Sequence, residues 1–270
     1  MMLNNNRSGM RSKLSSLTGR KRRNGNAFPR KYYILNEKTP FAVKEAYKTL
    51  RTNILSILAV HRTSNDDTVK FCFTSPSMGD GKTTVCVNVA VSFAETGARV
   101  LIIDADMRKP KIHKIFKSQI SPGLSDCLSG FSTVSEAVVE HPDINGLYIM
   151  SAGKIPPNPA ELILSDKFDA LLKSLDDVYD YVIIDAPPVC VVTDAVIISK
   201  KTLGAVLICR YADTRIENAK KAKNEIEQGG GTMLGSVLNG VEFRRTFGSV
   251  KYESQYGYGY GYSDNTEDDE

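Results

Sequence analysis

The segment Phe73–Thr84 reads FTSPSMGDGKTT, directly after the apolar run Val69–Thr74 and at the start of a helical pattern near Lys82. A glycine-rich turn between a strand and a helix is the setting of a P-loop. Gly79 and Gly81 let the backbone bend until successive N–H groups face inward, and the positive end of the following helix points at the same spot. Those donors suit the β- and γ-phosphates of a nucleotide. Lys82 adds a point charge there, and Thr83 offers a hydroxyl to Mg²⁺. Pro76 stands where the first glycine of the pattern is usual, but Gly-Lys-Thr-Thr after a strand remains specific. The loop Ser75–Thr84, with Gly79, Asp80, Gly81, Lys82, Thr83 and Thr84 as its nucleotide-binding residues, is therefore expected to hold Mg·ATP. The competing reading, a glycine turn that merely precedes a helix, explains none of the motifs that follow.

Short apolar runs alternate with longer helical patterns on both sides of this loop. The runs are Val69–Thr74, Val100–Asp104, Leu147–Ser151, Tyr181–Asp185, Ala205–Cys209 and Met233–Leu238. The intervening helices start near Lys82, Ala160, Thr193 and Thr214, and an amphipathic helix over Phe41–Ala59 precedes them all. Strand–helix alternation with strands apolar on both faces predicts an α/β fold, a mostly parallel sheet with helices on both faces. Residues 39–242 form this domain. Residues 1–38 read as a basic flexible arm, with Arg7, Arg11, Lys13, Arg20, Lys21, Arg22, Arg23, Arg30 and Lys31 and no acid. Residues 243–270 read as a flexible tail, glycine- and tyrosine-rich and then acidic. End blocks of this kind are usually solvated; a basic arm also suits an anionic membrane surface or nucleic acid, and the sequence does not choose. The five cysteines form no Cys-x-x-Cys pair and sit mostly in apolar runs, as in a reducing cytoplasm. No run approaches the roughly 20 apolar residues that cross a bilayer, and the basic N-terminus lacks the apolar core of a secretory signal.

Two further motifs end buried strands in carboxylates. VLIIDADMRKP, Val100–Pro110, places Asp104 and Asp106 at a strand's C-terminal end, and DYVIIDAPP, Asp180–Pro188, does the same for Asp185. Ligands of open α/β sheets bind outside those ends. Carboxylates two residues apart repel one another unless a cation neutralises them, and Mg²⁺ supplies that charge. Asp185 fits the acid that holds Mg²⁺ directly or through water. Each aspartate singly could be a helix cap or turn acid; three at strand ends beside a P-loop favour the site.

This combination resembles the bacterial tyrosine kinases of capsular and exopolysaccharide synthesis, similar in fold to the septum-site and partitioning ATPases. The resemblance covers about Phe41–Tyr262. Glu45, Lys48 and Arg51 fall on the family's Glu-x-x-Arg-x-x-Arg oligomerisation motif, with Lys48 in place of an arginine. A lysine keeps the charge and loses bidentate pairing. Alone, the three would read as a solvated helix face. Tyr252, Tyr256, Tyr258, Tyr260 and Tyr262 match the family's autophosphorylated tail. Asn239 is either an adenine contact or a turn residue before Gly240. Arg108 and Lys109 either approach the phosphates or solvate the loop before Pro110.

The resemblance implies a protein-tyrosine kinase that uses ATP and Mg²⁺. Lys82, Asp104 and Asp106 would be catalytic, with Asp104 orienting the tyrosine hydroxyl and taking its proton. Thr83, Asp106 and Asp185 would organise Mg²⁺. It further implies a homo-oligomeric ring, by resemblance of eight, a separate transmembrane activator (the polysaccharide co-polymerase) that recruits the cytoplasmic chain to the inner face of the membrane, protein substrates, a tyrosine phosphatase, and no nucleic acid. Two rivals remain. A partitioning-type ATPase carries a signature lysine early in the P-loop, where this chain has Ser77. A nucleotide-sensing adaptor would use the tail only for docking. No Asn-Lys-x-Asp guanine signature points to a GTPase.

Overall fold

A computed structural model of the chain describes residues 34–61 and 68–241. The expected basic arm up to residue 33 and the tail with its five tyrosines lie outside the described residues. The arm was expected to run to Lys38, but Leu35 is buried and its N–H donates to Asn88 Oδ1 at 2.7 Å.

The sixteen elements among the described residues run α1 (Phe41–His61), β1 (Val69–Thr74), α2 (Lys82–Ala94), β2 (Val100–Asp104), α3 (Ile112–Phe116), α4 (Leu124–Ser129), α5 (Val134–Ala137), β3 (Val138–Glu140), β4 (Leu147–Met150), α6 (Pro159–Leu164), α7 (Asp166–Ser174), β5 (Tyr181–Asp185), α8 (Asp194–Lys201), β6 (Ala205–Arg210), α9 (Ile216–Gln228) and β7 (Met233–Asn239). All six strands expected from apolar runs are present, with ends shifted by at most a residue. The short edge strand β3 and helices α3, α4 and α5 are additions. The helical pattern that starts near Ala160 divides into α6 and α7, because Ser165 between them is extended at φ −65°, ψ 154°.

The strands order as β3-β4-β2-β5-β1-β6-β7 in one sheet, parallel except for β3. Side chains alternate across it. Phe71, Phe73, Ile102, Ile183 and Ile208 join one core with α1, α2 and α3. Cys72, Leu101, Ile103, Ile184 and Leu207 join the other with α4, α6, α7, α8 and α9. Burial on both faces explains why the central strands lack a polar alternation.

Helix α2 lies between the sheet and α1, so every residue of it except Thr84 is buried. Helix α1 is clamped onto it. Arg51 donates to the Ser92 carbonyl and, at 3.2 Å, to the Ser92 hydroxyl. The aromatic centre of this layer is Phe93, whose ring lies 4.7 Å edge-on to Tyr181 and 6.4 Å from Phe71. Truncating a fully buried phenylalanine removes its transfer energy and leaves a cavity. Phe93→Ala should therefore lower stability by about 3–5 kcal/mol, seen as a lower urea midpoint at unchanged slope.

Candidate active site

The carboxyl ends of β1, β5 and β2 are stitched side by side. Asp104 pairs in register with Asp185, and Phe73 pairs with Asp185 on the other side. Beyond the strands the lateral bonds continue. Ala105 N–H donates to the Asp185 carbonyl at 2.9 Å, Ala186 N–H to the Phe73 carbonyl at 2.9 Å, and Val189 N–H to the Ser75 carbonyl at 2.9 Å. Three motifs far apart in sequence therefore share one edge. The chain reverses its direction across the sheet at β1, which is the switch point where α/β sheets take ligands.

The loop from Ser75 to Gly81 leaves β1 and returns into α2. Gly79 and Gly81 have φ of 97° and 91°, a region that costs L-residues energy. A side chain at Gly81 would also fall 2.1 Å from Asn239 Nδ2. Asn239 itself donates to the Asp80 carbonyl at 3.0 Å, so its side chain rests on the loop, and Gly240 at φ 76° makes the turn. Asp80, expected among the nucleotide-binding residues, has its carboxylate engaged in shaping the loop. It accepts from Ser77 N–H at 2.9 Å and from the Thr214 hydroxyl at 3.1 Å.

Lys82 is the electrostatic centre. Its ammonium lies 2.6 Å from Asp185 Oδ1 and 3.8 Å from Asp106 Oδ2, with almost no exposure. Burial opposes its charge, but Asp185, Asp106 and Asp104 together outweigh burial and hold its pKa above the ordinary lysine value. Asp104 is fully buried. Its Oδ1 accepts from Asp106 N–H at 3.2 Å, and its Oδ2 from Lys111 and Ile112 N–H at 2.9 and 3.0 Å. Burial, with Asp185 beside it, pushes its pKa up to about 7 against those N–H groups and Lys82. Burial also raises Asp106, and Lys82 moderates the shift.

Asp185 Oδ2 is buried with no hydrogen-bond partner among the described residues. An orphaned carboxylate oxygen beside Thr83 and Asp106 fits a cation. Among the described residues no three His, Cys, Asp or Glu side chains converge as a metal site of their own. The set instead suits Mg²⁺, which takes one or two carboxylates and shares the rest of its oxygens with phosphates and water.

The other expected residues fall as follows. Arg108 is drawn to Asp194 by Nε and one terminal nitrogen, at 3.2 and 3.3 Å, and Asp194 is fully buried. Lys109 Nζ lies 3.3 Å from Met78 Sδ on the P-loop. Glu45 and Lys48 pair with one another at 2.7 Å on an exposed face of α1, whereas Arg51 turns inward to Ser92. The three thus do not share one outward surface here. Asp194 and Thr214 were missed. Each begins or precedes a helix and reads as an ordinary cap, with nothing local to name its distant partner.

Residues 72–226 match the AAA domain family. The tyrosine-protein kinase YwqD of Bacillus subtilis is 36% identical over 214 residues, which are 79% of this chain and 85% of that protein. The tyrosine-protein kinase CpsD of Streptococcus pneumoniae serotype 4 is 35% identical, over 77% of this chain and 90% of its own. The tyrosine-protein kinase ptk of Acinetobacter johnsonii is 37% identical over 73% of this chain, which spans 26% of that longer protein. Among solved structures, the kinase domain of Escherichia coli tyrosine kinase ETK superposes with a TM-score of 0.69 at 29% identity, covering 81% of this chain and 80% of its own. The chimerical protein CapA2B2 gives 0.67 at 37% identity, covering 74% and 85%. The septum site-determining protein MinD of Pyrococcus horikoshii, at 24% identity and 0.55, shares the fold, over 63% of this chain and 70% of its own.

Two outcomes follow from the charges. Lys82→Met leaves two buried carboxylates without their cation, so the variant should lose about 3–5 kcal/mol of stability, seen as a lower urea midpoint. The raised pKa of Asp104 makes the folded chain hold a proton that the unfolded chain, with a carboxylate pKa of about 4, has released. That contribution is complete below about pH 4 and is lost as pH rises through about 7. Unfolding free energy of the nucleotide-free chain should therefore fall over this window, and Asp104→Asn should flatten the fall.

Proposed function

The chain belongs to the bacterial tyrosine-protein kinases, and we propose that it moves the terminal phosphoryl group of ATP onto tyrosine hydroxyls. Its main targets would be Tyr252, Tyr256, Tyr258, Tyr260 and Tyr262 on a neighbouring copy, in the service of extracellular polysaccharide synthesis. The observation that carries this reading is Lys82 held between strand-end carboxylates at the mouth of the P-loop, with Asp185 Oδ2 left over for a cation.

In the reaction the bond between the γ-phosphorus and the β–γ bridging oxygen breaks, and a bond from phosphorus to the tyrosine oxygen forms. Phosphoryl transfer needs positioning and charge stabilisation more than covalent help. The N–H groups of the loop and the start of α2 hold the β- and γ-phosphates, and Lys82 shifts its charge from Asp185 towards them. Thr83, Asp106 and Asp185 hold Mg²⁺, which when bound neutralises charge on the phosphate oxygens. Asp104 takes the hydroxyl proton. A pKa of about 7 suits a base working near neutrality. Its oxygens are occupied by the Asp106, Lys111 and Ile112 N–H groups, so access requires the 106–111 loop to shift. Asn239, at the far end of the sheet edge, lies on the base side of the nucleotide.

Assembly and recruitment complete the proposal. Helix α1, with Glu45, Lys48 and Arg51, would build a ring of eight. For Arg51 this means exchanging Ser92 for a neighbour. Among the described residues no helix is long and apolar enough to cross a membrane, so a separate transmembrane activator would bring the chain to the membrane, and a tyrosine phosphatase would reset it.

The deciding experiment mixes two chains. One is Lys82→Met with its tail intact, verified as folded under the assay conditions. The other is active, with its five tail tyrosines changed to Phe. Phosphotyrosine should appear on the Lys82→Met chain, and adding the cytoplasmic tail of a candidate activator should speed it. A Lys82→Met chain that labels itself alone, in cells without other tyrosine kinases, would defeat the assignment. So would an active chain that consumes ATP and labels no tyrosine.

A further inference from the structure

Between Asp106 and Asp126 the chain carries Arg108, Lys109, Lys111, Lys114 and Lys117 and no acidic residue. This stretch follows β2, and the structure anchors it beside the site. Lys111 N–H bonds to Asp104, Lys114 N–H bonds to the Lys111 carbonyl, and Lys109 Nζ reaches Met78. The turn after Lys117 is held against the end of β4, where the Ser151 hydroxyl donates to the Gln119 carbonyl at 2.8 Å and Gly153 N–H to the Ile120 carbonyl at 2.9 Å. Lys154 follows on that same turn, its carbonyl bonded to the Ser125 hydroxyl. Lys109, Lys114, Lys117 and Lys154 are exposed and Lys111 is half-buried. Among the described residues none of these five lysines has a carboxylate partner, in contrast to Arg108 with Asp194. The nearby carboxylates Asp104, Asp106, Asp126 and Asp194 are buried.

The position of this surface along the sheet edge gives it a use. The strands run β2-β5-β1-β6-β7, so the edge presents in turn the basic stretch, Asp185, the P-loop and Asn239. Asn239 marks the nucleotide's base side, and the basic stretch therefore lies beyond the γ-phosphate, where the acceptor must enter. The chain also holds a segment of opposite charge. Beyond Tyr262 come Asp264, Glu267, Asp268, Asp269 and Glu270 with no basic residue. At about 3.3 Å per extended residue, these acids lie roughly 7–26 Å from Tyr262, a reach that matches a site and its adjacent rim.

We propose that the basic surface of Lys109, Lys111, Lys114, Lys117 and Lys154 is a docking site for acidic peptide, and that its occupant is the Asp264–Glu270 end of a second copy's tail. This deepens the proposed kinase reading, because it makes carboxylates on the C-terminal side of the tyrosine a feature of the preferred substrate. The lysines act by lowering the Michaelis constant for the peptide; they take no part in the transfer. Docking holds the mobile acceptor near the site and raises its effective concentration there, and salt weakens it.

The test uses the full chain and a fluorescent peptide of the sequence from Tyr256 to Glu270, beside the same peptide with its five acids changed to Asn or Gln. The comparison variant is Lys111→Gln, Lys114→Gln and Lys117→Gln together. Anisotropy should show the acidic peptide binding the native chain at least about tenfold tighter than the neutral one, with the gap closing in high salt and absent in the variant. With ATP, the same gap should appear in the Michaelis constant for peptide, and neither the turnover number nor the Michaelis constant for ATP should follow it. Equal binding of the two peptides by the native chain overturns the proposal. So does a variant that keeps the gap, or one that loses only its binding to phosphatidylserine vesicles. Selective binding without any phosphotyrosine would leave the docking site standing and remove the kinase reading instead.

Discussion

Everything at the site depends on one ammonium buried among carboxylates. Three parallel strands end side by side, and two of them end in aspartate with a third aspartate just beyond. Like charges packed at the edge of an apolar sheet would not all remain ionised without a partner. Lys82 is that partner, projected from the first residue of α2. Its placement fixes the geometry of the P-loop because α2 is buried on all sides and cannot slide to relieve a mismatch. The sheet, the helix and the loop are thus held in one arrangement by a charge requirement as much as by packing.

That arrangement makes the nucleotide-free site self-compensated. Lys82 neutralises what Mg²⁺ would otherwise neutralise, and it does so with the same group that a phosphate would recruit. Binding of nucleotide and cation is then an exchange of partners. Lysine moves from carboxylate to phosphate as the metal takes its place, and little net charge is ever stranded in the low-dielectric edge.

The sequence disclosed the parts of the fold in which a local pattern carries the whole message. The runs at Val69–Thr74, Val100–Asp104 and Tyr181–Asp185 are apolar without alternation because both faces are covered, and the glycines of the P-loop are required by its positive φ angles. Strand β3 escaped because three half-exposed residues have no period to read. Helices α3, α4 and α5 span five, six and four residues, too few for a period of 3.6. The site was legible as a set of residues and less so as a set of contacts. Arg51 looked outward-facing because spacing marks a helix face, but only the packing of α1 on α2 reveals the Ser92 carbonyl waiting for a donor. Asp80 and Asn239 were read as touching nucleotide. Their side chains instead engage the loop from within, through partners more than a hundred residues away.

The bond from Asn239 to Asp80 has a mechanical consequence. Asn239 is the last residue of β7, an edge strand paired on one side by β6, and residue 242 begins the tail only three positions later. The P-loop glycine beneath it has no space for even a methyl group. The tail is therefore tethered like a rope to a cleat bolted onto the nucleotide loop: a pull on it, whether from a neighbour's grip or from a partner's motion, arrives at the phosphate cradle as force before any strand of the sheet has to give way.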